Sequence, residues 1–149
     1  CLIFSRQGTS AIERTPEQLS SIEIGGYLLA EHEDPDITIV ASGSEVQLAI
    51  DASIELKNES INANVVSMPS LDTFLELSND SQNKIINPNK PVLVVECAHP
   101  NSWYKILNRS DKVIGIETFG ESAPGSELLE YFGFNKDNVI RKAKSLIND

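Results

Sequence analysis

Two glutamates occupy positions from which carboxyl groups often act in α/β proteins. Glu96 and Glu117 each follow a short apolar segment that is predicted to be a strand. Ligands of open α/β sheets bind outside the carboxyl ends of the strands, and paired carboxyl groups there could supply a general acid and a general base. The sequence names no nucleophile or Lewis acid beside them, so we interpret both as solvated or hydrogen-bonded structural groups.

A serine-rich turn could hold a phosphate. Ser42, Gly43 and Ser44 connect a predicted strand to a predicted helix, and the backbone N–H groups at such a helix start can bind anions. The turn matches neither the dinucleotide-binding glycine pattern nor the P-loop. We therefore interpret it as a capped helix start in which the glycine permits the tight turn.

Cys97 and His99 could begin a metal site just after a predicted strand. Zinc needs four protein ligands, or three and a water molecule, and the only other histidine of the sequence is the distant His32. We therefore interpret His99 as a loop histidine, and we expect Cys97 to be a small buried side chain rather than a reactive thiol. Cys1 is the only other cysteine, so the sequence has no disulfide framework and is typical of a reducing compartment.

Arg6 is the candidate for phosphate recognition. It follows an apolar segment at residues 2–4 and stands between Ser5 and Gln7. The planar guanidinium of arginine suits a phosphate ester. From the residue types alone, a solvated surface arginine is the simpler interpretation.

A turn with glycine and proline follows the last predicted strand, at residues 119–124. Its small residues and Pro124 predict a tight entry into the next helix. Two roles stay open for this turn, which are packing against a neighbouring domain and contact with a ligand.

Five short apolar segments, predicted to be strands, must position these side chains. Three of the five are β-branched and apolar almost throughout, which is typical of strands covered on both faces in a largely parallel sheet. The loop at residues 31–35 is too short for a helical crossover, so we predict a hairpin there and one antiparallel strand in an otherwise parallel sheet. The five predicted strands are residues 26–30, 37–41, 63–67, 92–96 and 113–116.

Helical patterns alternate with these strands. Residues 44–58 carry apolar side chains at helical spacing, and Ser44 or Ser42 could head a capping box. A last helix carries an apolar stripe from Val139 onward, and Asn135 could cap it. The alternation predicts an α/β three-layer sandwich with helices on both faces of the sheet. Weaker helices are predicted at residues 71–77, 102–107 and 126–132.

The composition excludes several classes of function. The net charge of -10 would repel a phosphate backbone and an anionic membrane surface, so we expect neither nucleic acid nor membrane as a partner. No apolar segment approaches the roughly 18–20 residues that span a bilayer, and no signal-peptide pattern stands at the start. The 149 residues suffice for one domain with a real core.

The sequence starts at Cys1 and its only methionine is Met68, so we expect it to be a piece of a longer polypeptide. Residues 2–4 resemble a strand, and a polar segment follows them. We predict that residues 1–21 are the end of a preceding domain with its linker, and that residues 22–149 form the next domain.

Taken together, the motifs resemble the C-terminal end of transketolases. They occur in the order in which that family has them and cover essentially the whole chain. The motifs are Ser-Arg-Gln at 5–7, Glu-Arg-Thr at 13–15, Gly-Gly-Tyr at 25–27, Ala-Ser-Gly-Ser-Glu-Val at 41–46, Val-Val-Ser-Met-Pro-Ser at 65–70, Trp-Tyr-Lys at 103–105, Thr-Phe-Gly-Glu-Ser-Ala-Pro at 118–124, and Phe-Gly-Phe at 132–134 leading to Asn-Val at 138–139.

The resemblance implies a fold and an activity. Transketolases are cytoplasmic homodimers that transfer a two-carbon ketol unit between sugar phosphates, using thiamine diphosphate and a divalent metal such as Mg²⁺ or Ca²⁺. Their third, C-terminal domain has a mixed five-stranded sheet with four parallel strands and one antiparallel strand. Residues 1–21 would then end the pyrimidine-binding domain, and residues 22–149 would be the C-terminal domain. The family's Ser-Arg-Gln arginine helps to bind the phosphate of the sugar substrate, which implies this role for Arg6.

The family motifs that do the chemistry are missing from this sequence. It lacks the Gly-Asp-Gly motif with its later Asn that binds diphosphate and metal, the glutamate that activates the thiazolium, and the substrate-contacting histidines. The resemblance therefore assigns no catalytic, cofactor-binding or metal residue here. We expect this chain to be inactive alone, to bind no thiamine diphosphate or metal, and to depend on upstream transketolase domains. Residues 97–102 also depart from the glycine-bearing loop that is usual in the family.

Two alternatives remain at this point. The chain could be a free-standing flavodoxin-like or receiver-like module, although the acidic cluster of a receiver is not found after the strand at residues 37–41. It could also be the C-terminal domain of another thiamine enzyme, such as a deoxyxylulose-phosphate synthase or a ketoacid dehydrogenase. The Ser-Arg-Gln, Trp-Tyr-Lys and Phe-Gly-Glu-Ser-Ala-Pro motifs fit transketolase better.

Overall fold

Five strands form one mixed sheet in the computed structural model, which describes residues 8–108 and 111–148. The spatial order is β1-β3-β2-β4-β5. Strands β2, β3, β4 and β5 are parallel, and β1 runs antiparallel to β3. This confirms the predicted mixed sheet with one antiparallel strand. The strands are β1 (Tyr27–Ala30), β2 (Ile37–Ala41), β3 (Ala63–Ser67), β4 (Val92–Val95) and β5 (Lys112–Ile114).

The helices cover both faces of this sheet, as a three-layer α/β sandwich requires. Six α-helices are assigned in the described residues, together with 3₁₀ segments at Ser21–Ile24 and Pro100–Ile106. The second 3₁₀ segment replaces the helix predicted at residues 102–107. The α-helices are α1 (Pro16–Ser20), α2 (Glu45–Asn58), α3 (Leu71–Leu75), α4 (Asn79–Ile85), α5 (Gly125–Tyr131) and α6 (Lys136–Asn148).

The two faces of β2 belong to two separate core clusters. Ile37 and Ile39 are fully buried in the cluster that includes apolar side chains of α2 and α6. Val40 points to the other face and is buried with Phe74 and Trp103. Because both faces are covered, the strand is apolar throughout most of its length and shows no regular polar alternation.

The predicted hairpin between β1 and β2 is wrong. β3 lies between them, and β1 pairs with it through Tyr27–Ser67, Leu28–Val66 and Ala30–Val65. The connection can still be short, because two strand spacings are only about 10 Å and six residues reach up to roughly 20 Å. The crossover through α2 puts β3 beside β2. The other edge of β3 stays open, and β1 pairs with it there.

The polar segment before β1 is tied to the sheet edge. Thr15 and Gln18 form a capping box at the start of α1. The Gln18 amide also donates hydrogen bonds to the carbonyls of Leu28 and Leu29, at 3.0 and 3.1 Å. These bonds satisfy acceptors on an edge strand that would otherwise stay open to pairing with another chain.

Arg14, which directly precedes Thr15, also anchors the segment before β1. Its Nε donates to the hydroxyl of Tyr27 at 2.5 Å, and its Nη1 donates to the carbonyl of Ile12 at 2.9 Å. Tyr27 is 4% exposed at the start of β1. Arg14 of the Glu-Arg-Thr motif therefore attaches the segment before β1 to the start of that strand.

The caps of the two long helices differ from each other. Asn135 accepts the backbone N–H of Asn138 through its side-chain oxygen at 2.9 Å, which confirms the predicted cap of α6. Ser44 precedes α2 but makes no side-chain cap, so the predicted capping box is wrong. No helix of the described residues is long and apolar enough to cross a membrane.

Candidate functional site

The strand order reverses between β2 and β4, and we call the carboxyl edge of the sheet at this point the crevice. These strands are neighbours, but β2 connects to β3 on one side while β4 connects to β5 on the other. Such a reversal of strand order is where open α/β sheets bind their ligands. Ser42 directly follows β2 and Glu96 directly follows β4, so both lie at this crevice.

Side chains of the domain itself bridge the crevice. The Ser42 hydroxyl donates to Oε2 of Glu96 at 2.8 Å. Trp103, which is 5% exposed, lies on the same connection as Glu96 and acts to lower the pKa of this carboxyl group. The Ser42–Glu96 hydrogen bond therefore joins the connection that follows β2 to the one that follows β4.

The environment of Glu96 favours its protonated form. Burial is the largest effect and raises the pKa of Glu96, and the charge of Glu45 raises it further. The hydrogen bond from Ser42 and the influence of Trp103 act in the opposite direction, but the pKa remains above the ordinary glutamate value. Glu96 is thus a partly buried acid held by the Ser42 hydroxyl.

The start of α2 is not suited to a phosphate. Glu45 is only 7% exposed in the first turn, and its Oε1 accepts a hydrogen bond from the Ser44 hydroxyl at 2.7 Å. A carboxylate there interacts favourably with the positive end of the helix dipole. A phosphate would meet this charge, which disfavours anion binding at residues 42–44. The predicted capped helix start is also wrong, because Ser44 makes no side-chain cap.

Glu117 does not join the crevice. Glu117 is exposed beyond the end of β5. The charge that raises the pKa of Glu96 comes from Glu45 and not from Glu117. The two glutamates identified in the sequence therefore do not form an acid–base pair in the described structure. The partner of Glu96 is Ser42, and the signal that could have found it is that both directly follow strands.

The Cys97–His99 loop is a turn rather than a metal centre. His99 Nδ1 accepts the backbone N–H of Asn101 at 3.3 Å and begins the 3₁₀ segment Pro100–Ile106. The prediction that Cys97 is buried is wrong, since the residue is exposed. Even so, desolvation, with the charges of Glu45 and Glu96, raises the pKa of the Cys97 thiol, which disfavours the nucleophilic thiolate.

The turn at residues 119–124 enters α5 as predicted. Pro124 is the residue before the helix, and Gly125 is its first residue. The rest of the turn is exposed. Arg6, the predicted substrate-binding residue, lies outside the described residues.

The raised pKa of Glu96 predicts a pH dependence of stability. Below pH 4.5, the ordinary glutamate value, Glu96 is protonated in both the native and the unfolded chain. As the pH rises from there, the unfolded chain loses this proton first, so the native state binds more protons and its stability falls. We expect Glu96→Gln, which keeps an acceptor for Ser42, to gain stability over the original chain above pH 4.5 and to match it below.

Urea unfolding at a series of pH values measures this difference. Glu117→Gln is the matched control, because it removes an exposed carboxylate at the end of the next strand. A Glu96→Gln variant that is less stable at neutral pH would show that the ionised carboxylate is the favoured form, against the proposed effect of burial.

Comparison with known proteins identifies the family. A model of the transketolase-like C-terminal domain matches residues 25–135. The chain belongs to this family. The match includes the crevice residues Ser42, Glu45 and Glu96, together with all five strands.

Curated relatives match almost the whole chain. Transketolase 1 of Escherichia coli is 42% identical over 149 residues, which are 98% of this chain and 22% of the relative. The transketolase of Bacillus subtilis is 39% identical over 151 residues, covering 99% of this chain and 23% of the relative. The chain thus spans about a fifth of the length of these relatives and matches their C-terminal region.

Solved transketolase structures share the fold. The transketolase mutant H261F from Pichia stipitis has a TM-score of 0.85 and 32% identity, over 96% of this chain and 20% of that chain. The transketolase from Leishmania mexicana has a TM-score of 0.81 and 32% identity, over 87% of this chain and 19% of that chain. These matches favour the transketolase prediction over the flavodoxin-like, receiver-like and other thiamine-enzyme alternatives.

Proposed function

We propose that this chain is the C-terminal domain of a transketolase, together with the end of the domain that precedes it. The intact enzyme would transfer a two-carbon ketol unit from a ketose phosphate to an aldose phosphate. The observation that carries the proposal is 42% identity to an Escherichia coli transketolase over 98% of this chain. We place residues 1–21 at the end of the pyrimidine-binding domain and residues 22–149 in the C-terminal domain.

The domain's own contribution would be structural. In many α/β enzymes, the crevice where the strand order reverses holds the ligand. Here the Ser42–Glu96 hydrogen bond bridges it. A carboxylate held in this way joins two connections of the fold, which suits a scaffold that docks onto catalytic domains.

Thiamine diphosphate and a divalent metal, Mg²⁺ or Ca²⁺, would be held elsewhere in the enzyme. Residues 8–108 and 111–148 contain no group of three or more His, Cys, Asp or Glu side chains that could hold a metal ion. Helix α2, which follows the serine-rich turn at residues 42–44, carries the buried Glu45 in its first turn. The described residues therefore do not fit the cofactor, and no step of the reaction is assigned to them.

Arg6 would reach the substrate from the end of the preceding domain. The Ser-Arg-Gln motif at 5–7 supports this role, in which the guanidinium binds the phosphate of the sugar. We further propose that the intact enzyme is a cytoplasmic homodimer, as transketolases are, with sugar phosphates as substrates.

The proposal predicts a sharp contrast between two forms of this chain. Alone, it should fold but bind no thiamine diphosphate and transfer no ketol. The second form is a chimera in which the 149 residues replace the matching C-terminal region of Bacillus subtilis transketolase. We expect the chimera to be active because the upstream domains supply the catalytic groups.

Calorimetry with thiamine diphosphate and Mg²⁺, and a coupled ketol-transfer assay, measure both forms. The unmodified Bacillus subtilis enzyme is the positive control. Tight cofactor binding by the isolated chain would contradict the assignment. So would a folded chimera that binds the cofactor and transfers no ketol.

A further inference from the structure

Helix α5 and the loop before it leave an apolar surface uncovered. Phe119 is 97% exposed and Tyr131 is 73% exposed, and no residue of α5 is buried. We call Ala123, Leu128 and Tyr131, together with the exposed ring of Phe119 in the loop before α5, the α5 face. Tyr131, Leu128 and Ala123 line a surface cleft of about 500 Å³ with Glu121 and Glu127.

One anchor of the α5 face is held in place before any partner arrives. The ring of Tyr131 packs edge-on against that of Phe132, with centroids 5.0 Å apart and an angle of 81° between the planes. Phe132 packs in turn against the core cluster beneath. A fixed aromatic side chain loses little conformational entropy on binding, as in the anchors of protein interfaces.

The cleft of the α5 face is negatively charged, with Glu121 and Glu127 in its lining, whereas Arg141 lies with Tyr131 in a separate cleft. Residues 113–135 contain four glutamates and no lysine, arginine or histidine. The ion pairs between residues that the structure describes join Lys90, Lys136 and Lys144 to carboxylates outside the α5 face. The surface that covers this face should therefore present apolar side chains flanked by lysine or arginine.

A second copy of the chain does not meet this requirement. Two α5 faces brought together would place two copies of Glu121 and Glu127 at one interface, which disfavours association. The path of the chain indicates another occupant. Gly8, Thr9 and Ser10 line a cleft of about 240 Å³ together with Leu129 of α5 and Phe134, so the chain enters the domain beside this helix.

We infer that the α5 face docks against the preceding domain of the same polypeptide, on an apolar patch flanked by basic side chains. This inference rests on the proposed function, in which such a domain precedes residue 22. Phe119 inserts as the more exposed anchor and Tyr131 as the fixed one. Each aromatic ring buries about 150–250 Å² in such a contact.

Hydroxyl-radical footprinting tests the inference by comparing the isolated chain with the chimera. We expect oxidation of Phe119 and Tyr131 to fall about tenfold in the chimera, as exposed rings become buried core positions of an interface. Tyr104 is the internal control, since it is 56% exposed on the 3₁₀ segment Pro100–Ile106, away from α5. Its oxidation should stay unchanged.

Variants separate docking from folding. The double variant Phe119→Ser/Tyr131→Ser should lower the melting temperature of the isolated chain only slightly, because both side chains are exposed there and the loss is that of the Tyr131–Phe132 ring contact. In the chimera it should restore oxidation of residues in the α5 face, such as Leu128, to the level in the isolated chain. Glu121→Lys/Glu127→Lys should do the same through charge repulsion, whereas Glu33→Lys/Glu76→Lys, at exposed sites outside the face, should not.

The outcomes separate this inference from the proposed function. Equal oxidation of Phe119 in the isolated chain and in an active chimera would overturn the docking surface and leave the function intact. Protection that grows with concentration in the isolated chain would overturn it in favour of a second copy. Protection in a cofactor-loaded but inactive chimera would support the docking surface and contradict the function. The Escherichia coli enzyme, at 42% identity, gives a second host should the first chimera not fold.

Discussion

Gly25→Ala is expected to lower the free energy of unfolding of this chain by about 3 kcal/mol. Gly25 follows the 3₁₀ segment Ser21–Ile24 with φ of 84°, in the left-handed region that a Cβ atom disfavours. A Cβ there would also collide with the carbonyl oxygen of Ser70 and would lie 2.5 Å from the backbone nitrogen of Phe74. Both are backbone atoms at the start of α3, so neither can move aside as a flexible side chain could.

Urea unfolding of the isolated chain, followed by circular dichroism, measures this loss. Gly120→Ala is the matched control, because a Cβ at Gly120 meets no atom within 4 Å. The control should change the free energy of unfolding by no more than about 0.5 kcal/mol. If Gly25→Ala were as mild as the control, the close approach of this turn to α3 would not exist in solution.

Arg6→Ala in the chimera is expected to raise KM for phosphorylated sugars by roughly 10- to 100-fold. This range follows from the roughly 1.5–3 kcal/mol of a hydrogen bond to a charged group, at 1.4 kcal/mol per factor of ten. Unphosphorylated acceptors lack the group that the guanidinium would bind, so their KM should change much less. Arg6→Lys keeps a charge without the planar fork and should fall between the original chain and Arg6→Ala.

Steady-state kinetics with matched phosphorylated and unphosphorylated acceptors measure this effect. Arg14→Ala is a useful control, since Arg14 is bound to Tyr27 and to the Ile12 carbonyl and should act on stability instead. An equal loss for both kinds of acceptor would argue against a phosphate contact at Arg6.

The sequence could predict the sheet because its strands are buried on both faces. β2 and β4 are apolar at every position from Ile39 to Ala41 and from Val92 to Val95, and short apolar runs of this kind are typical of strands covered by helices on each side. The same reasoning misjudged which strand β1 would join. Loop length limits how far apart two strands can lie, but it does not say whether a third strand is inserted between them.

The candidate site was less predictable than the fold. Glu96 was identified correctly as a residue at the carboxyl edge, but its partner was not. Ser42 is 54 residues away along the chain, and no local rule links a serine to a glutamate across such a distance. Capping rules instead predicted that Ser42 or Ser44 caps the start of α2. In the structure, Ser42 donates to Glu96 and Ser44 donates to Glu45.

The family could be predicted from the sequence because its motifs recur in a fixed order, and order is a property of the chain itself. The strands and the long helices could also be predicted from the sequence, since hydrophobic periodicity is a local property of the chain. Only the tertiary structure decided that β3 separates β1 from β2, that Ser42 donates to Glu96, and that the rings of Phe119 and Tyr131 remain uncovered. The physical reason is that each of these depends on contacts between residues far apart along the chain, which packing of the whole domain selects.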